Sequence, residues 1–240
     1  MAKGAAALNG KIRRIPNPAE KTEILSTHPL FGQIAPEIRD RLGAYAKTRN
    51  VPRGTVIFSK GDPGNSLFTI CSGTVQIFGP SAAGKNVVFN LIREGEIFGE
   101  IALLDGGART ADAVAFTDCR LMVIERRDFL PVLRLYPDLA IYLLELLCAR
   151  LRRTTEQVED LMFLDLSARL VKTLLRMADA AKPESAVVLS QSELSQIVGF
   201  SREMINKQLQ QWVKGGLIRL QRRRITIVDP DGLARVGRQV

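Results

Sequence analysis

The 28 residues DLAIYLLELLCARLRRTTEQVEDLMFLD, Asp138 to Asp165, contain neither glycine nor proline. Pro137 stands just before them, where a helix tolerates proline because the missing N–H belongs to its unbonded first turn. A helix of this length runs about 40 Å. Along it Ala140, Leu144, Leu147, Leu151, Thr154, Val158 and Leu161 alternate spacings of four and three, the seam of a coiled coil. Such a helix either packs on its own domain or joins a second copy of the chain. The seam is narrow and too long for one small β domain to cover. The sequence therefore predicts a homodimer joined through Leu144, Leu147, Leu151, Thr154, Val158 and Leu161. Thr154 puts a hydroxyl into an otherwise aliphatic stripe, with Thr155 beside it. A polar seam residue can fix register, or it can be there to meet something polar.

The texture before this helix is different. TVIF (Thr55–Phe58), SLFTI (Ser66–Ile70), TVQIF (Thr74–Phe78), NVVFNLI (Asn86–Ile92) and RLMVI (Arg120–Ile124) are short and rich in β-branched and aromatic residues. GDPGN, SG, GPSAAG and REGE separate them, all turn chemistry. Strands so spaced favour an antiparallel barrel or sandwich rather than a parallel sheet. Upstream, Glu23 to Lys47 reads as short helices broken at Pro29 and Pro36. The first 22 residues, rich in Gly, Ala, Pro and Lys, read as a disordered tail. The expected divisions are a tail over 1–22, a β domain over 23–136, a dimerisation helix and hinge over 137–165, and a C-terminal domain over 166–240.

That last domain is helical with two small strands. SARLVKTLLRMADAA (Ser167–Ala181) forms an amphipathic helix ending near Pro183. In SQSELSQIVGF, Ser190 with Glu193 three residues on is a capping box. Gly199-Phe200 makes a tight turn, and Ser201 caps a second helix, SREMINKQLQQWVKGG. Helix, glycine turn, helix is the helix-turn-helix arrangement. LIRL and ITIV, around the basic turn QRRR, add a wing. The second helix of such a pair presents its N-terminal residues to the major groove; here these are Arg202, Glu203, Asn206 and Lys207. Met204 and Ile205 leave that face, and Leu209 and Trp212 anchor the helix. Arg donates twice to guanine and Glu accepts from cytosine. Glu203 is the informative residue: phosphates repel a carboxylate, so a basic sheath would exclude one that a base reader uses. Ser190 and Ser201 at the helix starts join the candidate DNA-binding set. Arg222, Arg223 and Arg224 suit phosphate contact.

Charge agrees with an anionic partner. The chain carries a formal +9, and from Asp165 onward thirteen Lys and Arg face seven Asp and Glu. A third of the chain thus holds two thirds of the excess, the footprint of a nucleic-acid binder. Cys71, Cys119 and Cys148 are far apart, which argues against zinc, an iron–sulfur cluster or a disulfide framework and fits a reducing cytoplasm. The apolar runs are too short for a membrane span. An enzyme reading is poor, with no nucleophile–base pair, metal-ligand cluster or Walker loop. GPSAAGKN lacks the phosphate-loop spacing and reads as a hairpin flap. His28, the single histidine, reads as a surface residue before Pro29.

One segment remains: FGEIALLDGGART, Phe98 to Thr110, which sets a carboxylate, a guanidinium and a hydroxyl among apolar residues and glycines. Short strands, this segment, a long helix and IVGFSREMINKQL, in that order, resemble the Crp/Fnr family of bacterial transcription regulators over roughly 25–228. The stretch RLRRTTEQVEDLMFLDLSARL is most similar to the cyclic-AMP receptor protein branch. The resemblance implies an α+β fold: an N-terminal barrel or jelly-roll cyclic-nucleotide-binding domain, a long dimerisation helix, and a winged helix-turn-helix. It implies that Glu100 takes the ribose 2′-hydroxyl and Arg109 the cyclic phosphate. Gly99, Ile101, Ala102 and Ala111 would line the pocket, and Thr110 would add a hydroxyl. Thr154 and Thr155 would meet the base, one of them from the partner chain. The chemistry is sound in itself, since a phosphodiester suits a guanidinium and helix-start N–H groups, and ribose hydroxyls suit a carboxylate acceptor.

Two departures bear on specificity. The branch usually has Ser at Thr110 and Arg at Lys207. A Thr hydroxyl can reach the amino group of a syn guanine, so cyclic AMP is the first ligand and cyclic GMP a second or shared one. Lys207 donates to guanine without the guanidinium fork, so a palindromic TGTGA-like site is expected with a looser base under Lys207. The resemblance also implies RNA polymerase as a partner, and no catalytic cofactor. Relatives that sense other signals, or bind DNA without a ligand, are the alternative. Against it stand the absence of cysteines before Cys71 and the joint presence of Glu100 and Arg109.

Overall fold

The computed structural model describes residues 18–28, 31–32, 34–80, 86–178 and 186–237. In chain order they form α1 (Pro18–Thr27), α2 (Pro36–Tyr45), β1 (Lys47–Val51), β2 (Val56–Phe58), β3 (Ser66–Ser72), β4 (Thr74–Pro80), β5 (Asn86–Arg93) and β6 (Ile97–Phe98). Then come α3 (Glu100–Asp105), β7 (Asp112–Ala115), β8 (Cys119–Glu125), α4 (Arg126–Leu135), α5 (Pro137–Phe163) and α6 (Leu166–Met177). The chain ends with β9 (Ala186–Val187), α7 (Gln191–Val198), α8 (Arg202–Lys214), β10 (Ile218–Gln221), β11 (Arg224–Ile227) and α9 (Pro230–Val236). The fold is α+β, as the sequence predicts. It divides into two compact units. One holds the residues up to Val75, Ile92–Thr110 and Val114–Ile141, and the other holds Gln76–Leu91, Ala111–Ala113 and the chain from Tyr142.

The strands of the N-terminal half form two four-stranded sheets, β1-β8-β3-β6 and β2-β7-β4-β5. This is the jelly-roll alternative rather than a single closed barrel. The first sheet is antiparallel throughout, with Phe68 paired to Val123 on one side and to Phe98 on the other. Leu67, Phe68, Thr69 and Ile70 are all buried, so both faces of β3 are covered. That is why SLFTI and RLMVI read as continuous apolar runs instead of alternating ones. α2 starts at Pro36, as expected from the sequence, and buries Ile38 and Leu42. α1 begins at Pro18, inside the stretch assigned to the tail, so the tail ends earlier than residue 22; its remainder lies outside the described residues. His28, expected at the surface, is only 6 % exposed and packs against Phe31 with tilted rings, centroids 4.9 Å apart. Most of the GPSAAGKN flap falls outside the described residues; the helix expected over Ser167–Ala181 ends earlier, at Met177, where Ala178 turns extended and its N–H closes on Leu174 O.

In the second unit α6 starts at Asp165, whose carboxylate accepts from Ala168 N at 2.8 Å. It buries Leu170, Val171 and Leu174. The wing sheet has three strands, β10-β11-β9, where the sequence suggests two; β9 pairs Val187 with Ile225. α5 is continuous from Pro137 to Phe163. Among the described residues no helix is long and apolar enough to cross a membrane.

Candidate functional site

The cassette, the segment Phe98–Thr110 that holds the candidate ligand residues, is built on two glycines. Gly99, at φ 80°, turns the chain from β6 into α3, and Gly106, at φ 77°, turns it out again. Both angles lie in the left-handed region that glycine enters without steric cost. The Gly106 N–H donates to Ala102 O at 3.0 Å and closes the short helix. Glu100 is thereby set in its first turn, 2 % exposed. The chain after the helix is clamped to the loop before β3. Arg109 N donates to Asp62 O at 2.8 Å, and Gly61 N donates to Arg109 O at 2.9 Å. A side chain at Gly64 could not fit, because a Cβ there would overlap the Ala102 methyl.

This backbone fixes Arg109, which is 4 % exposed. Its Nη1 donates to Gly99 O at 2.8 Å, and its Nη2 donates to Ser66 O at 2.8 Å and Ser66 Oγ at 3.0 Å. The guanidinium carbon lies 4.3 Å from the Phe58 ring centroid and 5.5 Å from that of Phe68. Burial pulls the guanidinium's pKa down, and the charges of Glu100 and Asp62 push it back up. Phe58, Phe68 and Ser66 thus support the arginine, and no pattern in the sequence points to them. Arg109, Ser66, Phe58 and Phe68 border a cleft of about 600 Å³, within the range of small-molecule sites. Of the cassette, Arg109 alone lies on the wall of that cleft.

The structure brings together Gly99, Glu100 and Arg109. Ala102 and Ala111 are buried, whereas Ile101 and Thr110 are exposed. Thr154 and Thr155 belong to the second unit. Both are exposed, and their hydroxyls donate at 3.0 Å to Arg150 O and Leu151 O, one turn back on α5. Along the same helix Leu144, Leu151, Val158 and Leu161 are 60, 67, 49 and 61 % exposed; Leu147 is half-buried. A stripe of large apolar side chains left open on one helix is what a partner surface looks like.

The helix-turn-helix is assembled as the sequence suggests. Ser190 accepts from Glu193 N, and the Glu193 carboxylate returns the bond from Ser190 N at 2.7 Å. Gly199 ends α7 at φ 80°, and Ser201 caps α8 by accepting from Met204 N at 3.3 Å. Ile205, Leu209 and Trp212 are buried, leaving Arg202, Glu203, Asn206 and Lys207 exposed on one side. Met204, expected to leave that face, is 45 % exposed at its edge. Asn206 Oδ1 accepts from Gln191 Nε2 of α7 at 2.9 Å. Arg169 of α6 supports the turn, with its guanidinium 4.4 Å from the Phe200 ring centroid. In the wing, Arg222, Arg223 and Arg224 are all exposed, and of these Arg223 has an internal partner. Arg223 donates from Nη2 to both Glu193 carboxylate oxygens, at 3.0 and 3.1 Å. Burial pushes the Glu193 carboxyl up; the bonds from Ser190 and the Arg223 charge outweigh it and hold the carboxyl below its ordinary value.

Comparison with known proteins agrees with this geometry. Residues 48–136 match the model of the cyclic nucleotide-binding domain, and residues 168–236 match that of the Crp-like helix-turn-helix domain. The CRP-like cAMP-activated global transcriptional regulator of Mycobacterium tuberculosis is 32 % identical, over 90 % of this chain and 99 % of that one. The cyclic AMP receptor protein of Thermus thermophilus is 34 % identical, over 80 % and 88 %. Among solved structures, the c-di-GMP-responsive global regulator CLP of Xanthomonas campestris superposes with a TM-score of 0.70 at 26 % identity, over 78 % of this chain and 96 % of that one. The Thermus thermophilus catabolite activator protein gives 0.51 at 32 % identity, over 87 % and 98 %. A cyclic-nucleotide cassette and a Crp-like helix-turn-helix on one chain, with relatives matched across nearly their whole length, make this protein a DNA-binding transcription regulator of the Crp/Fnr family.

Proposed function

We propose that the protein is a homodimeric regulator that binds cyclic AMP, with cyclic GMP as a second or shared ligand, and then a palindromic TGTGA-like DNA site. The observation that carries the ligand reading is the buried Arg109, set on two aromatic rings with Glu100 in the same fold of backbone. A guanidinium binds phosphate oxygens through charge-assisted hydrogen bonds, and a cyclic phosphate would lie beside Arg109 where the family's cassette holds it. Glu100 offers the acceptor for the ribose hydroxyl, and the exposed Thr110 adds its hydroxyl. The names of two relatives at 32 and 34 % identity, both tied to cyclic AMP, support the same ligand.

The open stripe on α5 supports dimerisation, with the chain from α1 to residue 136 as the ligand domain, 137–165 as dimerisation helix and hinge, and 166–240 as the DNA-binding domain. Thr154 and Thr155 stand on that helix to receive the base, one from each chain. Two reading helices would then meet half-sites about 34 Å apart, one turn of B-DNA. Arg202, Glu203, Asn206 and Lys207 read bases, and the wing meets phosphates. Such a dimer works in the cytoplasm with RNA polymerase as its downstream partner. The nucleotide moves the equilibrium only through its differential affinity for the two states, typically about 1–3 kcal/mol.

Arg109→Leu tests the pocket. The variant should fold and dimerise like the parent and lose all response of DNA binding to cyclic AMP, as read by fluorescence anisotropy on a labelled duplex. An undiminished response would remove Arg109 from the site.

A further inference from the structure

The wing turn contains an anomaly. Gln221 pairs with Arg224, so Arg222 and Arg223 alone connect β10 to β11. Arg223 has φ 59°, and among the described residues it is the one non-glycine with a positive φ. A two-residue turn with its positive φ at the second residue is a position for glycine or asparagine, because a Cβ crowds the following carbonyl there. An arginine in that place is sterically disfavoured, so something must offset it.

What it gains is Glu193. Arg223 Nη2 meets both oxygens of a carboxylate whose side chain is 16 % exposed. One of those oxygens also accepts from the Ser190 backbone N–H at 2.7 Å and the Ser190 hydroxyl at 2.8 Å. The same side chain therefore closes the capping box of α7 and holds the tip of the wing. The next residue after the cap, Gln191, reaches Asn206 on α8. Two sets of polar contacts, Arg223–Glu193–Ser190 and Gln191–Asn206, thus meet at adjacent residues at the start of α7. Arg222, Arg223 and Arg224 are all exposed, the Arg223 side chain by 43 %, but among the described residues Arg223 is the one of the three that makes an ion pair.

We propose that Arg223 and Glu193 form a clamp that sets the wing against the helix-turn-helix, so that Arg223 is a positioning residue and Arg222 and Arg224 make the wing's phosphate contacts. The proposal deepens the DNA-binding reading and rests on it. A cation committed to an internal carboxylate releases no counterion from DNA. One that neutralises a phosphate adds about 0.9 to the slope of log affinity against log salt.

The experiment compares the parent dimer, saturated with cyclic AMP, with Arg222→Ala, Arg223→Ala, Arg224→Ala, Glu193→Gln and the Arg223→Ala/Glu193→Gln double variant. Affinity for one palindromic duplex is measured at several salt concentrations. Unfolding midpoints in urea are measured without DNA. Arg222→Ala and Arg224→Ala should each flatten the salt slope by about 0.9. Arg223→Ala should keep the parental slope while lowering affinity by a constant factor of about ten, as lost positioning and not lost charge. Glu193→Gln should match it, and the double variant should be no weaker than either single, in affinity and in urea midpoint. A flattened slope in Arg223→Ala, or additive effects of Arg223→Ala and Glu193→Gln on the urea midpoint, would overturn the clamp. If the parent itself fails to bind duplex DNA, the DNA reading falls, and the urea midpoints still decide whether the two residues are coupled.

Discussion

Arg109 shows how a single residue type carries information that its surroundings complete. Its place in FGEIALLDGGART is visible in the sequence, but the rings of Phe58 and Phe68 that support it come from distant strands. His28 makes the opposite point. Next to Pro29 it looks like a surface residue, yet it is buried against the Phe31 ring three residues on. No local pattern records that. Burial lowers the His28 pKa from 6.5 to about 4, so the folded chain resists a proton that the unfolded chain accepts. The resulting stability is fully present above about pH 6.5 and is lost as pH falls toward 4, by up to about 3 kcal/mol. Urea unfolding of parent and His28→Asn as a function of pH checks this: the difference between the two should narrow below pH 6. Glu203 offers a cleaner test of base reading. Glu203→Ala should relax preference at one base pair, about 1–3 kcal/mol of discrimination, and leave the salt slope unchanged; binding-site selection from a randomised half-site reads it directly.

The long helix and the helix-turn-helix are the most legible elements, for different reasons. α5 carries its seam in plain spacing, and the structure leaves that seam open. α7 and α8 carry their starts in Ser190, Glu193 and Ser201, whose capping bonds form as read. The strands are legible where β3 and β8 are buried on both faces. β1 escapes a sequence reading because KTRNV buries only Val51, β7 because DAVA is small-sided, and β6 because two residues make no pattern. The pairing of β9 with β11 escapes it for the same reason of length. The exposed stripe gives a prediction for the element itself. In the proposed dimer Leu151→Glu would put like charges opposite each other in the seam, so sedimentation equilibrium at micromolar concentration should find a dimer for the parent and a monomer for the variant. An unchanged dimer would move the interface elsewhere.

For the whole chain, the order of parts is readable from sequence: a cyclic-nucleotide-binding β domain, a long helix, and a basic winged helix-turn-helix. Its family follows from that order and from relatives matched end to end. What the order alone leaves open is the messenger, because on the proposed reading one hydroxyl at Thr110 and two on α5 would decide between bases of similar shape. Calorimetric titration of the purified protein with cyclic AMP and with cyclic GMP, with duplex binding followed in the same samples, addresses this most directly. Saturable binding of one cyclic AMP per chain, with duplex affinity rising at least about fivefold on saturation, is the expected result; cyclic GMP should bind the same site by competition. Absence of heat with both nucleotides, together with full duplex affinity in their absence, would contradict it.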